Sequence, residues 1–281
     1  MTSARALQTG TCSREIVITC EHGGHHVPAR YRPLFTGAEP VLETHRGWDP
    51  GALHLARRFS ASLHAPLFFS KVTRLLVELN RSRHHRALFS EFSGRLSAAE
   101  RSIVLDRYWH PYRQQVEDAL ADAISRRGTV LHLSVHSFTP VFEGHRRRTD
   151  IGLLYDPQRP LETEFCLAWK AAVEARDADL VVHRNAPYRG IADGFITHLR
   201  RHFKAEQYVG VELEVNQKFV LGHPDEWRRI QRLLVDSMGV MLTGFQSASP
   251  GKHGEQIRNG SSDIPVRDPG VVARDGQESP S

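Results

Sequence analysis

Cysteine is scarce in this chain. Three occur in 281 residues, Cys12, Cys20 and Cys166. An odd number without CxxC spacing excludes both a disulfide framework and a thiolate zinc site, so reduced, mostly buried thiols are expected. Long apolar runs are missing as well. No stretch approaches the roughly 20 residues of a membrane-spanning helix, and the first residues lack the apolar centre of a secretory signal. A cytoplasmic protein with no membrane partner is the expectation. A continuous basic stripe is the third absence. Lys and Arg number 37 against 32 Asp and Glu, a net charge of +5. The positive residues come as short clusters, Arg146 to Arg148 and Arg200 with Arg201, without interleaved aromatics. That pattern does not read nucleic acid and suits a small anionic substrate better.

With 40% hydrophobic and 25% charged residues, the composition is that of one sizeable globular domain. Residues 1–13 read as a loose leader, and 247–281, rich in Gly, Ser, Pro and charge without periodicity, as a disordered tail. The folded part is expected over 14–246. Apolar runs predict strands at 15–20, 67–72, 75–79, 129–135, 151–155, 179–183 and 208–215. Helical patterns cover 50–63, 160–176, 191–203 and 225–243, with a long one from Ser97 to Arg127 expected to bend near Pro111. Ser97 and Glu100 have the spacing of a capping box. Strands interleaved with helices predict an α/β fold, a mixed, mostly parallel sheet covered on both faces.

The residues able to do chemistry gather where strands end. "VITCEHGG" closes the first strand at His22, and "VLHLSVHSF" closes another at His136. In open α/β sheets that edge is where ligands bind. Asp49, in "THRGWDPGAL", stands just before a helix expected to open at Pro50. Two imidazoles and a carboxylate with one open position form the ligand set of a catalytic zinc ion. In "YVGVELEVNQ", Glu212 and Glu214 share one face of a strand whose other residues are apolar. Buried carboxylates are costly unless paired, so this pair requires a partner.

The pieces "CEHGGHHVP", "HRGWDPGAL", "RLLVELNRSR", "LSVHSFTP", "NAPYRGIADGFITHLR" and "VGVELEVNQ" resemble the N-formylglutamate amidohydrolase family. Its members resemble zinc carboxypeptidases and N-acetylmuramoyl-L-alanine amidases in sheet and metal site. The resemblance implies a three-layer α/β/α sandwich of the phosphorylase/hydrolase type, with 14–246 as the catalytic domain. It also implies zinc held by His22, Asp49 and His136, an arginine-bearing "LNR" strand end, and Glu214 as general base, with Glu212 two residues away as the alternative. Family members acting on formylglutamate often read "PHSG" at the first histidine, where this chain reads "EHGG".

The implied activity is zinc-dependent hydrolysis of the amide of a small anionic N-acyl amino acid, N-formylglutamate first among them. Arg81 and Arg189 are candidates for gripping substrate carboxylates, because a guanidinium fork matches a carboxylate. Asn185 and Tyr188 are expected to add polar contacts. An N-acetylmuramoyl-L-alanine amidase-like hydrolase and a non-catalytic module of the same fold are the other readings.

Overall fold

A computed structural model describes residues 15–247; the expected leader and, apart from Ser247, the expected tail lie outside them. The main strands are β1 (Glu15–Cys20), β2 (Leu67–Phe69), β3 (Val130–Phe138), β4 (Ile151–Leu154), β5 (Val182–Arg184) and β6 (Tyr208–Asn216). They form one sheet in the order β2-β1-β3-β6-β4-β5. The β1–β2, β1–β3, β3–β6 and β4–β5 pairs are parallel and the β4–β6 pair is antiparallel, so the sheet is mixed and mostly parallel.

Helices cover both faces. On one side lie α1 (Ala52–Leu63), α4 (Pro160–Glu174) and α6 (Pro224–Ser247). Their Leu55, Phe59, Phe165, Trp169, Ile230 and Leu234 pack in one core with Leu131, Leu133 and Val135 of β3 and Val209, Val211 and Leu213 of β6. On the other side α2 (Ala98–Val104) runs through a π turn at Leu105–Trp109 into α3 (His110–Arg127), and α5 (Phe195–His202) lies beside it. Val116, Leu120, Ile196 and Leu199 belong to this second core. Strand alternation therefore sends His132, Ser134 and His136 of β3, and Glu212 and Glu214 of β6, to the α3/α5 face.

The helix-forming segments follow the sequence closely. The Ser97 hydroxyl accepts from the Glu100 amide and the Glu100 side chain reaches back to the Ser97 amide, a complete capping box. Near Pro111, where a bend is expected, the structure has a π turn at Leu105–Trp109 that ends two residues before the proline.

Two local expectations are corrected. Helix α1 opens at Ala52, not Pro50, because Gly51 is its cap with φ +81°, and a Cβ there would stand 2.6 Å from Val220 Cγ2. Residues 75–79 form no strand, so "LNR" is not a strand end. Only a few residues separate them from β2, whereas a parallel neighbour needs a crossover of a dozen or more. They form turns instead, with Leu75, Leu76, Val77 and Leu79 buried in the second core. Arg113, buried with its guanidinium 4.4 Å from the Trp109 ring and 4.1 Å from that of Phe195, donates to the Leu79 carbonyl at 3.2 Å and holds this segment down.

Candidate metal centre and active site

His22 leaves the C-terminal end of β1, and the glycines after it allow a close approach. A Cβ on Gly23 would stand 2.9 Å from the Ser70 carbonyl oxygen, and one on Gly24 3.0 Å from that of Lys71. Two side chains larger than hydrogen would push this turn off the β2 loop. Asp49 is tied to the same turn, its amide donating to the His22 carbonyl at 3.0 Å. His136 comes from β3, next to β1 in the sheet. The ligand atoms of His22, Asp49 and His136 all lie within 4.8 Å of one another, and all three residues are buried.

Both histidines turn Nδ1 toward Asp49 Oδ2, at 3.2 Å for His22 and 2.9 Å for His136. These separations are close to the roughly 3.3 Å edge of a tetrahedron whose ligands stand 2.0–2.1 Å from zinc. The donor set therefore fits a divalent ion. The outer nitrogens are occupied: His22 Nε2 meets Glu78 Oε1, and His136 Nε2 lies 3.2 Å from Glu21 Oε2 and 2.9 Å from Ser134 Oγ. Arg74 closes the cluster, donating from Nε to Glu78 Oε2 at 2.7 Å and from Nη1 to Asp49 Oδ1 at 3.2 Å.

The electrostatics follow from this packing. Burial opposes charge on every group, but His22, His136 and Arg74 hold the Asp49 carboxyl well below its usual range. Glu78 is likewise lowered by Arg74 and His22 despite its burial. Burial and Arg74 push His22 down, yet Glu78 and Asp49 leave it raised; His136, against burial, is raised well above by Asp49 and Glu21. Glu214 behaves oppositely. Burial, with repulsion from Asp49 and Glu212, lifts its carboxyl to about 8 against the pull of His136 and Arg74. Its Oε2 is buried without a hydrogen-bond partner among the described residues.

A cavity of about 320 Å³ opens over this cluster, lined by His22, Asp49, Arg74, Asn80, Arg81, His136, Ser137, Tyr188, Arg189, Ala192, Asp193, Glu212 and Glu214. All but one of the sequence-predicted site residues meet there. Asn185 is the exception: its Oδ1 accepts from the amides of Tyr155 and Gly190, both at 3.0 Å, which shapes the loop and leaves that oxygen unavailable to a substrate. Arg81 donates to the Asp193 carbonyl, while Tyr188 receives a hydrogen bond from Arg147 at 2.9 Å. The Arg189 guanidinium is exposed and makes no hydrogen bond or ion pair among the described residues. Sequence reasoning missed Glu21, Glu78 and Arg74. Glu21 precedes His22 directly, and an acidic residue at a buried strand end was the available signal.

Comparison with known proteins bears on this site. A gene product of Agrobacterium tumefaciens of solved structure is 27% identical, with a TM-score of 0.69 over 85% of this chain and 95% of that one. The N-formylglutamate amidohydrolase of Ralstonia eutropha JMP134 shares the fold at 17% identity, with a TM-score of 0.62 over 84% of this chain and 96% of that one. No curated protein matches. Residues 14–221, which include every member of the cluster and its cavity, match the family model described as N-formylglutamate amidohydrolase, and the chain belongs to that family.

Proposed function

We propose that this protein is a zinc-dependent amidohydrolase that cleaves a small N-acyl amino acid, N-formylglutamate being the first candidate, into the free amino acid and the acid. The reading is carried by one observation: two imidazoles and a carboxylate converge to within 4.8 Å beside a buried glutamate whose Oε2 has no hydrogen-bond partner among the described residues. A zinc ion held by His22, Asp49 and His136 supplies Lewis acidity toward the scissile carbonyl and toward water. Glu214 takes the proton of the attacking water and delivers it to the leaving amine. Burial lifts its carboxyl to about 8, and a cation beside it would lower that value toward about 7, where the group can both take and give a proton.

Arg74, between Asp49 and Glu78, keeps the ligand Asp49 and the outer carboxylate Glu78 ionised and presents a positive edge to the cavity. Arg189 is the uncommitted cation for a substrate carboxylate, and Arg81 shapes the wall through Asp193. The reading takes 14–246 as one catalytic domain working in the cytoplasm, in keeping with the buried free thiols of Cys20 and Cys166.

Metal analysis of the purified protein, with a screen of N-formyl, N-acetyl and N-formimino amino acids, tests it. Hydrolysis by zinc-loaded but not chelator-stripped protein is expected. A protein that binds no divalent ion and hydrolyses none of these amides contradicts the proposal.

A further inference from the structure

Glu21 is 1% exposed, and its three partners come from two elements, α3 and β3. Tyr112 of α3 donates to Oε1 at 3.0 Å, Ser134 of β3 donates to Oε2 at 2.7 Å, and His136 Nε2 lies 3.2 Å from the same oxygen. The Ser134 hydroxyl has one hydrogen, given to Glu21, so the oxygen 2.9 Å from His136 Nε2 is left to accept. His136 Nε2 thus faces two acceptors, the carboxylate directly and the serine that leans on it. A proton placed there is held on both sides, and a proton on Nδ1 would leave both acceptors empty in a buried site.

We propose that Glu21 is a positioning residue that fixes the proton of His136 on Nε2 and so commits Nδ1 to the metal. This rests on the metal site proposed above. The chemistry has a general basis: a histidine ligand whose far nitrogen donates to a carboxylate is oriented and made more basic, and loss of that partner weakens metal binding. Glu78 stands in the same relation to His22, so each histidine has its own carboxylate. At His136 the carboxylate is also anchored outside the cavity. Through Tyr112 the metal ligand is braced against helix α3, while Glu21 itself does not line the cavity.

The test uses the full chain and zinc alone. Zinc affinity, measured by competition with a chromogenic chelator, is compared among wild type, Glu21→Gln, Ser134→Ala and the double variant. Thermal stability of the metal-free proteins is followed in parallel. Glu21→Gln is expected to weaken zinc binding by about 10- to 100-fold. Ser134→Ala should weaken it less, and the double variant should be no worse than Glu21→Gln, because both residues act on one nitrogen. In the zinc-loaded proteins the Nε2 proton of His136, held against a charged acceptor, should resonate further downfield in wild type than in Glu21→Gln. Should Glu21→Gln fail to fold, Ser134→Ala alone must still lower the affinity for the proposal to stand. Equal zinc affinity in the variants and wild type, or lowered stability of the metal-free protein with unchanged zinc affinity, overturns the proposal. If wild type itself binds no zinc, the metal site falls and the positioning role with it.

Discussion

Glu214 stands directly opposite His136 in the parallel pairing of β3 and β6, so that a carboxyl lifted to about 8 and a candidate metal ligand share one rung of the sheet. Neighbouring strands lie about 4.8 Å apart, which brings the two side chains to the same cavity without any loop having to move. The candidate base and the candidate ligand are thereby placed by backbone pairing. Glu212, opposite Ser134, lies one rung deeper on the same face.

This arrangement separates base from alternative. Glu214→Gln keeps the shape but cannot accept a proton, so zinc should remain bound while kcat falls by about a hundredfold or more. Glu212→Gln should retain far more activity. The reverse pattern in steady-state kinetics would assign the base to Glu212.

Removing a ligand has a different signature. His22→Ala and His136→Ala should each lose most bound zinc and nearly all hydrolysis, because the remaining two donors cannot complete a site. His84→Ala, exposed and outside the lining of the cavity, serves as the control. Metal content near wild type in both ligand variants would contradict the proposed centre.

Zinc affinity should depend on pH. Asp49 with Glu78 or Glu21 raises His22 and His136 against the effect of burial, and ligation requires both imidazoles neutral. Apparent affinity therefore rises as pH climbs, by about tenfold or more between roughly pH 6 and 8. Chelator competition across that range checks the slope, and a flat profile is the contrary result.

His132 links the same face of the sheet to acid stability. Buried between Thr19 at 2.9 Å and Tyr208 at 2.8 Å, it is pushed down to about 4, mainly by burial. Its folded pKa is below the unfolded 6.5, so the stability it lends is complete above 6.5 and is lost as pH falls toward 4. The loss is on the order of 3 kcal/mol. Chemical unfolding of wild type and His132→Gln at pH 7 and 4.5 should show a smaller decrease in the variant; equal decreases would remove His132 from the account.

The arginines are distinguished by their commitments. Arg189→Ala should lower kcat/KM for N-formylglutamate by about tenfold and matter less for N-formylglutamine, where no side-chain carboxylate is left unpaired. Arg81→Ala, which releases the Asp193 carbonyl, should affect both substrates alike. Kinetics on the two substrates decide, and equal losses for Arg189→Ala would make it a wall residue too.

Much of this molecule is legible in its sequence because strand alternation and helix periodicity are local. Residues 131–136 and 211–215 alternate apolar and polar, so the faces carrying His136 and Glu214 follow from counting by two. His22 and His136 were visible as strand-end histidines for the same reason. The apolar run at 75–79 has the pattern of a strand, and periodicity cannot tell a strand from a buried turn segment of that length. Arg81 drew attention over Arg74 because "LNR" looked like a strand end, whereas the turn at Thr73 to Leu76 is what aims Arg74 at Asp49.

Local order thus determined the strands, their helical covers and the strand-end or strand-face positions of His22, His136 and Glu214. Tertiary structure alone decided their partners: Glu78 to His22 across 56 positions, Asp49 to His136 across 87, and Glu21 to Ser134 across 113. It also decided which nitrogen each histidine turns inward. Those pairings depend on where loops return and on the cost of burying an unpaired charge, neither of which leaves a periodic trace along the chain.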